Sequence, residues 1–189
     1  DPAGDPTRPL LEYAPTIGLR PDTIGMSSDL PLVAYMEDLR QNGSGWVRYS
    51  MIFSNEDGGT STPALLARWG RTTDIEFVYE IEWRDGRVVQ ERIQAPDHRV
   101  LPFGGAREGH HPYLLVATLN NMVIDRGLSV APVRPVPTVV DLSSATRESV
   151  MDREPWSYRV MARELAAEGR IGADVKDPRE YLFVEAKLD

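Results

Sequence analysis

Between Asp74 and Trp83 the chain alternates with a period of two, placing Ile75, Phe77, Tyr79, Ile81 and Trp83 on one side and Glu76, Glu80 and Glu82 on the other. That period predicts a half-buried antiparallel strand whose glutamates form a solvated row. Asp85-Gly86 follows, the preferred pair for a two-residue type I′ turn, so Arg87 to Gln94 is expected to return as partner strand with Trp83 opposite Val88. Upstream, LPLVAYM (30–36) and WVRYSMIFS (46–54) are β-branched and aromatic runs separated by Asn-Gly and Gly-Ser-Gly steps, which predicts a second antiparallel pair. The segment LLEYAPTIGLR (10–20) is extended but interrupted by Pro15 and Gly18 and reads as an edge or bulged strand. RPDTIGMSSD (20–29) reads as a turn region. Tyr113 to Leu119 is a continuous apolar run suited to the centre of a sheet. Residues 128–142 carry three prolines and are expected to cross the surface before PTVVDL enters an edge strand, and YLFVEAKL (181–188) reads as a last strand.

Helical signals are fewer. Thr62 as N-cap, Pro63 at the first helical position and Gly70 beyond the last turn bracket a two-turn helix, ALLARW. Ser143 or Ser144 is placed to cap ATRESVM, and a longer helix runs from Asp152–Pro155 to Glu168, with Tyr158, Met161, Ala162 and Leu165 as one core-facing stripe. Together these elements predict a mostly antiparallel β-sandwich with two or three peripheral α-helices, a single domain over 10–189 behind a linker-like segment at 1–9. A chain that stops right behind a strong strand reads as a piece of a longer protein.

Composition narrows the class without choosing a function. At 189 residues, 41% hydrophobic and 26% charged, the chain is of globular type and long enough for a full core. A net charge of -8 opposes a nucleic-acid partner, which demands clustered Lys and Arg. Zero cysteines remove disulfides, thiolate zinc sites and cysteine nucleophiles. No apolar run approaches the roughly 18 residues of a membrane span. The opening run DPAGDPTRP suits either a trimmed chain or a processed, exported protein, and of the two a secreted or cell-envelope location is expected.

Two constellations carry candidate chemistry. The loop Asn55-Glu56-Asp57-Gly58-Gly59-Thr60, with Asp74 and Glu76 at the following strand, supplies hard oxygen ligands of the kind calcium or another divalent cation takes in sets of six to eight. Its spacing is not that of the twelve-residue helix-loop-helix calcium site, and a solvated turn with glycines at positive φ explains the same residues. The long loop 95–111 holds all three histidines, and His98 with His110 or His111 and a carboxylate could hold a metal ion. Adjacent His110 and His111 point in opposite directions on an extended chain, which works against a shared ion. No serine lies in a G-x-S-x-G strand-to-helix turn. Trp46, Trp69, Trp83 and Trp156 read as core or partial core, with a sugar-stacking platform as the other use. The expected function is an exported or envelope-associated binding or structural module with a protein or carbohydrate partner. The alternative is a metal-dependent hydrolase combining the acidic loop with the histidine loop.

Two segments resemble a known family. TTDIEFVYEIEWRDG (72–86) is similar to the G-D-W-E-containing strand of the vacuolar protein-sorting-associated family of plants and fungi. EGHHPYLLVATLNN (108–121) is similar to the segment in which a His-Pro or Lys-Pro step precedes an apolar strand. The resemblance matches Asp74 and Glu76 to the family's acidic pair and His111-Pro112 to the later step. Ile75, Phe77 and Asn120-Asn121 replace its tryptophan and two histidines. It implies a β-sandwich and little about chemistry.

Overall fold

A computed structural model describes residues 6–24, 28–184 and 186–187. In chain order the strands are β1 (Thr16–Gly18), β2 (Pro31–Asp38), β3 (Gly45–Phe53), β4 (Asp74–Arg84), β5 (Arg87–Ala95) and β6 (Arg99–Pro102). There follow β7 (Arg107–Glu108), β8 (His111–Val116), β9 (Val123–Ile124), β10 (Pro132–Val133) and β11 (Thr138–Val140). The helices are α1 (Arg8–Leu11), α2 (Pro21–Ile24), α3 (Thr62–Trp69), α4 (Glu148–Arg153) and α5 (Trp156–Ala167). The protein is mostly β, as its alternating pattern predicts.

Six strands form one sheet in the order β11-β2-β3-β4-β5-β6, in which β2 to β6 are consecutive antiparallel neighbours and β11 adds in parallel. The second sheet is mixed. There β1 lies between β10 and β8, pairing parallel with β8, while β7 and β9 also pair with β8. One core cluster joins Leu10, Ile17, Leu114, Val116 and Val123 to Met36, Tyr49, Met51, Tyr79, Ile81 and Ile93 of the six-stranded sheet. A second cluster packs Val33, Tyr35, Ile52 and Ile75 of that sheet under Leu66, Met151, Tyr158, Met161 and Leu165 of the helices. The larger sheet is therefore covered on both faces, which is why Met51, Ile52 and Phe53 are buried in succession.

The sequence pattern places most elements, and its departures have identifiable causes. The 30–36 and 46–54 runs pair antiparallel, and Trp83 lies opposite Val88. The α5 stripe of Tyr158, Met161, Ala162 and Leu165 is buried as expected. Segment 10–20, however, is an internal strand preceded by a helical turn. Pro15 precedes β1 and breaks no ladder, and a Cβ on Gly18 would lie 2.5 Å from the Tyr113 hydroxyl, so that glycine permits a close approach. The expected turn after it contains α2 as a helical turn, and residues 25–27 lie outside the described residues. In β4 a bulge opposite Tyr49/Ser50 shifts the phase and buries Val78 beside Tyr79. The glutamate row is not solvated: Glu80 is 1% exposed between Arg48 and Arg92. The 95–111 segment forms a 3-10 turn, β6 and β7 where a long loop is expected. Helix α3 starts one residue early, at Thr62, with Ser61 in the N-cap position making no side-chain capping bond and Gly70 in the left-handed region at φ 65°.

Of the expected linker, residues 1–5 lie outside the described residues, while Arg8 already belongs to α1 and Leu10 to the core. The last strand does not form over 181–184, because Phe183 packs against the helical cluster instead of a sheet edge. The rest of that run includes residues 185 and 188, outside the described set. None of the four tryptophans is buried. Trp69 and Trp156 are exposed, Trp46 lies under Arg92, and Trp83 packs edge-on to Tyr13, so they make no common platform.

Candidate functional site

Where β4 begins, Asp74 and Glu76 are two apart and so project to the same side of the strand. Both face a cavity of about 200 Å³, and the loop preceding α3 brings Glu56 and Thr60 to it. Trp69, in the last turn of α3, and Leu65 form an apolar wall, while Ile75, His98, Asn120, Arg71 and Arg147 complete the lining. Three carboxylates, two guanidiniums and one imidazole thus meet in a single polar recess.

The hydrogen bonds show how firmly each group is held. Asp74 Oδ2 accepts from Asn121 Nδ2 at 3.2 Å, and the same nitrogen donates to the Asn55 carbonyl at 3.0 Å. Asn121 reaches them from a tight turn where its φ is 55°. Gln94 Nε2 donates to Glu76 Oε2 at 2.6 Å and lies 2.9 Å from His98 Nδ1. Glu56 Oε1 accepts from the Thr60 backbone N–H at 3.2 Å. A Cβ on Gly59, whose φ is 103°, would strike that same oxygen at 2.3 Å, so a glycine is required where the loop folds over Glu56.

All three carboxylates are pushed above their ordinary range. For Asp74, which is 7% exposed, the main cause is burial, reinforced by the charges of Glu76 and Glu56. Glu76 and Glu56 rise for the same primary reason, burial, which Arg147 and Gln94 offset at Glu76 and the Thr60 N–H offsets at Glu56. The arginines are already engaged. Arg71 binds Glu148 at 2.6 Å and the Thr73 carbonyl, and Arg147 donates to the Ile75 carbonyl. The recess thus holds three carboxylates whose ionised forms burial disfavours, and a ligand that brings positive charge would favour those forms.

The structure brings together Glu56, Asp74, Glu76 and His98 of the residues singled out in the sequence. Asn55 lies fully buried behind them, linked through Asn121. Asp57 turns the other way, to Arg20 and Arg170, each at 3.2 Å. His110 stacks on Tyr13 with ring centroids 4.9 Å apart, and His111 Nδ1 lies 2.8 Å from the Ala14 carbonyl, so neither reaches the cavity. Among the described residues, no three His, Asp or Glu side chains are grouped so as to hold one metal ion. Sequence reasoning missed Arg71, Arg147 and Gln94 as site residues. Arg147 lies 71 positions beyond Glu76 and Gln94 reads as an ordinary polar strand residue, so only the folded sheet relates them to the acids.

No protein-family model matches the chain, and no curated protein matches it. Two solved structures align over 87% of this chain and 80% of theirs, each at 12% sequence identity: NLPPya in complex with mannosamine, at a TM-score of 0.45, and NLPPya in complex with glucosamine, at 0.46.

Proposed function

We propose that this protein is an exported or envelope-associated, non-catalytic binding module whose cavity takes a small, hydroxyl-rich ligand carrying a positively charged amino group. The observation that carries this reading is the convergence of Glu56, Asp74 and Glu76 on one recess, where Arg71 is already paired with Glu148 and Arg147 is held by a backbone carbonyl. Carboxylate oxygens accept from hydroxyl and ammonium groups alike, and a charge-assisted bond to an ammonium is among the stronger ones. Trp69, 47% exposed at the cavity wall, offers a face for the C–H side of a sugar ring. Acids that face the cavity from a strand and from a separate loop suit donors spread over a molecule.

His98, joined to Glu76 through Gln94, favours a second reading, the metal-dependent hydrolase. Only one histidine of the loop reaches the acids in that arrangement. Titration calorimetry separates these cases with four probes: glucosamine, glucose, calcium chloride and zinc chloride. Glucosamine is expected to bind wild type, to bind at least tenfold more weakly to Asp74→Ala, and to outcompete glucose. Because a ligand ammonium lowers the raised carboxylates, binding should release protons, visible as heats that vary with the buffer's ionisation enthalpy. Equal affinity for glucose and glucosamine would sink the charge argument. Binding of calcium or zinc alone, with turnover of a model ester or glycoside, would favour the hydrolase.

A further inference from the structure

On the far side of the loop that carries Glu56 lies a second charged cluster that the cavity does not use. At its centre is Arg20, between β1 and α2 and 5% exposed. Its Nη1 donates to the Thr118 carbonyl at 2.6 Å, and its Nη2 contacts Asp29 at 3.0 Å and Asp57 at 3.2 Å. Asp22 of α2 approaches Nε at 3.3 Å. From α5 and the residues after it come Glu164, accepting from the Asp29 backbone N–H at 3.0 Å, and Arg170, which binds Asp57 at 3.2 Å and Glu168 at 2.9 Å. Arg170 also donates to the Glu56 carbonyl, at 3.2 Å.

Both loops that line the cavity are fastened here. Arg20 grips the 55–60 loop through Asp57 and the β8–β9 turn through Thr118, and the Asp57 and Gly58 backbone N–H groups join the two at the Leu119 carbonyl. Glu56 and Asn120, one residue away from these anchors, face the ligand cavity. The charges do not balance if every acid is ionised: Asp22, Asp29, Asp57, Glu164 and Glu168 surround two guanidiniums. Asp29 Oδ1 and Glu164 Oε2 are buried without a hydrogen-bond partner among the described residues.

We propose that Arg20 is a positioning residue for the cavity, and that it holds the two loops in place only while Asp29 is neutral, so that ligand capture is switched off at alkaline pH. This rests on reading the recess as the ligand site. Burial first, and then the charge of the nearby Asp57, push the Asp29 carboxyl up to about 9, and Arg20 only partly opposes them. Below that pH, Arg20 pairs its charge with Asp57. Above it, Asp29 ionises and competes for the same Nη2. The Asp29 side chain is 1% exposed and that of Asp57 20%, so Asp57 is the one that gives up Arg20, keeping only Arg170, and the 56–60 segment loosens with it. The cavity acids titrate in the opposite sense, since their ionisation strengthens capture of a cationic ligand.

The test compares wild type, Asp29→Asn and Arg20→Lys from pH 7 to 10. Glucosamine affinity is measured by calorimetry, and amide hydrogen exchange is followed over 55–60 and 118–121. Asparagine stands in for the neutral acid, so Asp29→Asn should bind within about threefold of wild type at pH 7. By pH 10 it should bind at least tenfold more tightly than wild type; the ligand's own titration is common to both and cancels. Protection factors in the two loops should fall in wild type above pH 9 and hold in Asp29→Asn. Arg20→Lys, keeping the charge but not the three-way reach, should lose protection in both loops throughout. Parallel affinity profiles, or loop protection independent of Asp29, would overturn the proposal. Absence of glucosamine binding at pH 7 counts against the cavity reading alone, and hydrogen exchange still decides the clasp.

Discussion

Glu80 gives the sharpest test of the architecture, because a solvated glutamate and a buried one differ by several kilocalories. It stands directly across from Arg48 on β3 and Arg92 on β5, at 2.7 and 2.5 Å. Arg92 is further held over the Trp46 ring at 3.6 Å. Glu80→Gln keeps the shape and removes the charge. Two charge-assisted hydrogen bonds lose about 1.5–3 kcal/mol each. Against this, the glutamate's own desolvation is avoided, and the arginines, 36% and 30% exposed, turn to water. The net expectation is a loss of about 2–3 kcal/mol, or a Tm lower by roughly 4–12 °C for a domain of this size. Urea unfolding followed by far-UV circular dichroism at pH 7 measures it, repeated at 1 M salt, where a buried pair is little screened. Glu82→Gln is the control. Its partner Arg84 is 58% exposed, so the change should stay within about 0.5 kcal/mol. Equally small effects at the two positions would mean that Glu80 is solvated and the triad contributes nothing.

Leu165→Ala should cost about 3–5 kcal/mol in the same assay, since the side chain is fully buried beneath α5, whereas Leu128→Ala, 83% exposed, should cost under about 0.5 kcal/mol. Gly70→Ala meets open space but places a Cβ at φ 65°, so a loss of about 1–2 kcal/mol is expected from backbone strain alone. Without ligand, Asp29→Asn should flatten stability against pH. The Asp29 value is higher folded than unfolded, so its contribution is complete below about pH 4 and is lost as the pH rises through about 9. The variant's Tm advantage over wild type should therefore widen from pH 6 to 9, at up to about 1.4 kcal/mol per pH unit. A gap independent of pH would refute it.

Much of the fold is legible because its determinants are local. The Asp85-Gly86 turn, the Thr62 to Gly70 helix and the α5 stripe each declare themselves within a dozen residues. What was not legible depends on partners distant in sequence. Glu80 looks like surface until Arg48 and Arg92 flank it, and β1 looks like an edge until β8, nearly a hundred residues on, pairs with it. The site divides in the same way. Asp74 and Glu76 were visible as an alternating pair, and Glu56 as a loop acid. Asp57, one position later, belongs to a different cluster because the loop is strung between two sets of charges. The histidine loop was legible as unusual, yet β7 and β8 carry His110 and His111 away from the acids.

The order of pairing in the two sheets bears on how the chain folds. Strands β2 to β6 meet their sequence neighbours, so loop closure between them costs little entropy and this meander can form early. By contrast, β1 joins β8 and β11 joins β2 in parallel, each across about a hundred residues. The β8–β9 turn, with Asn120 and Asn121, reaches Glu56 and Asp74 only once those distant segments dock. Assembly of the recess thus belongs to the late, cooperative part of folding, and a chain caught with only its meander formed would have acids on a strand and no pocket to put them in.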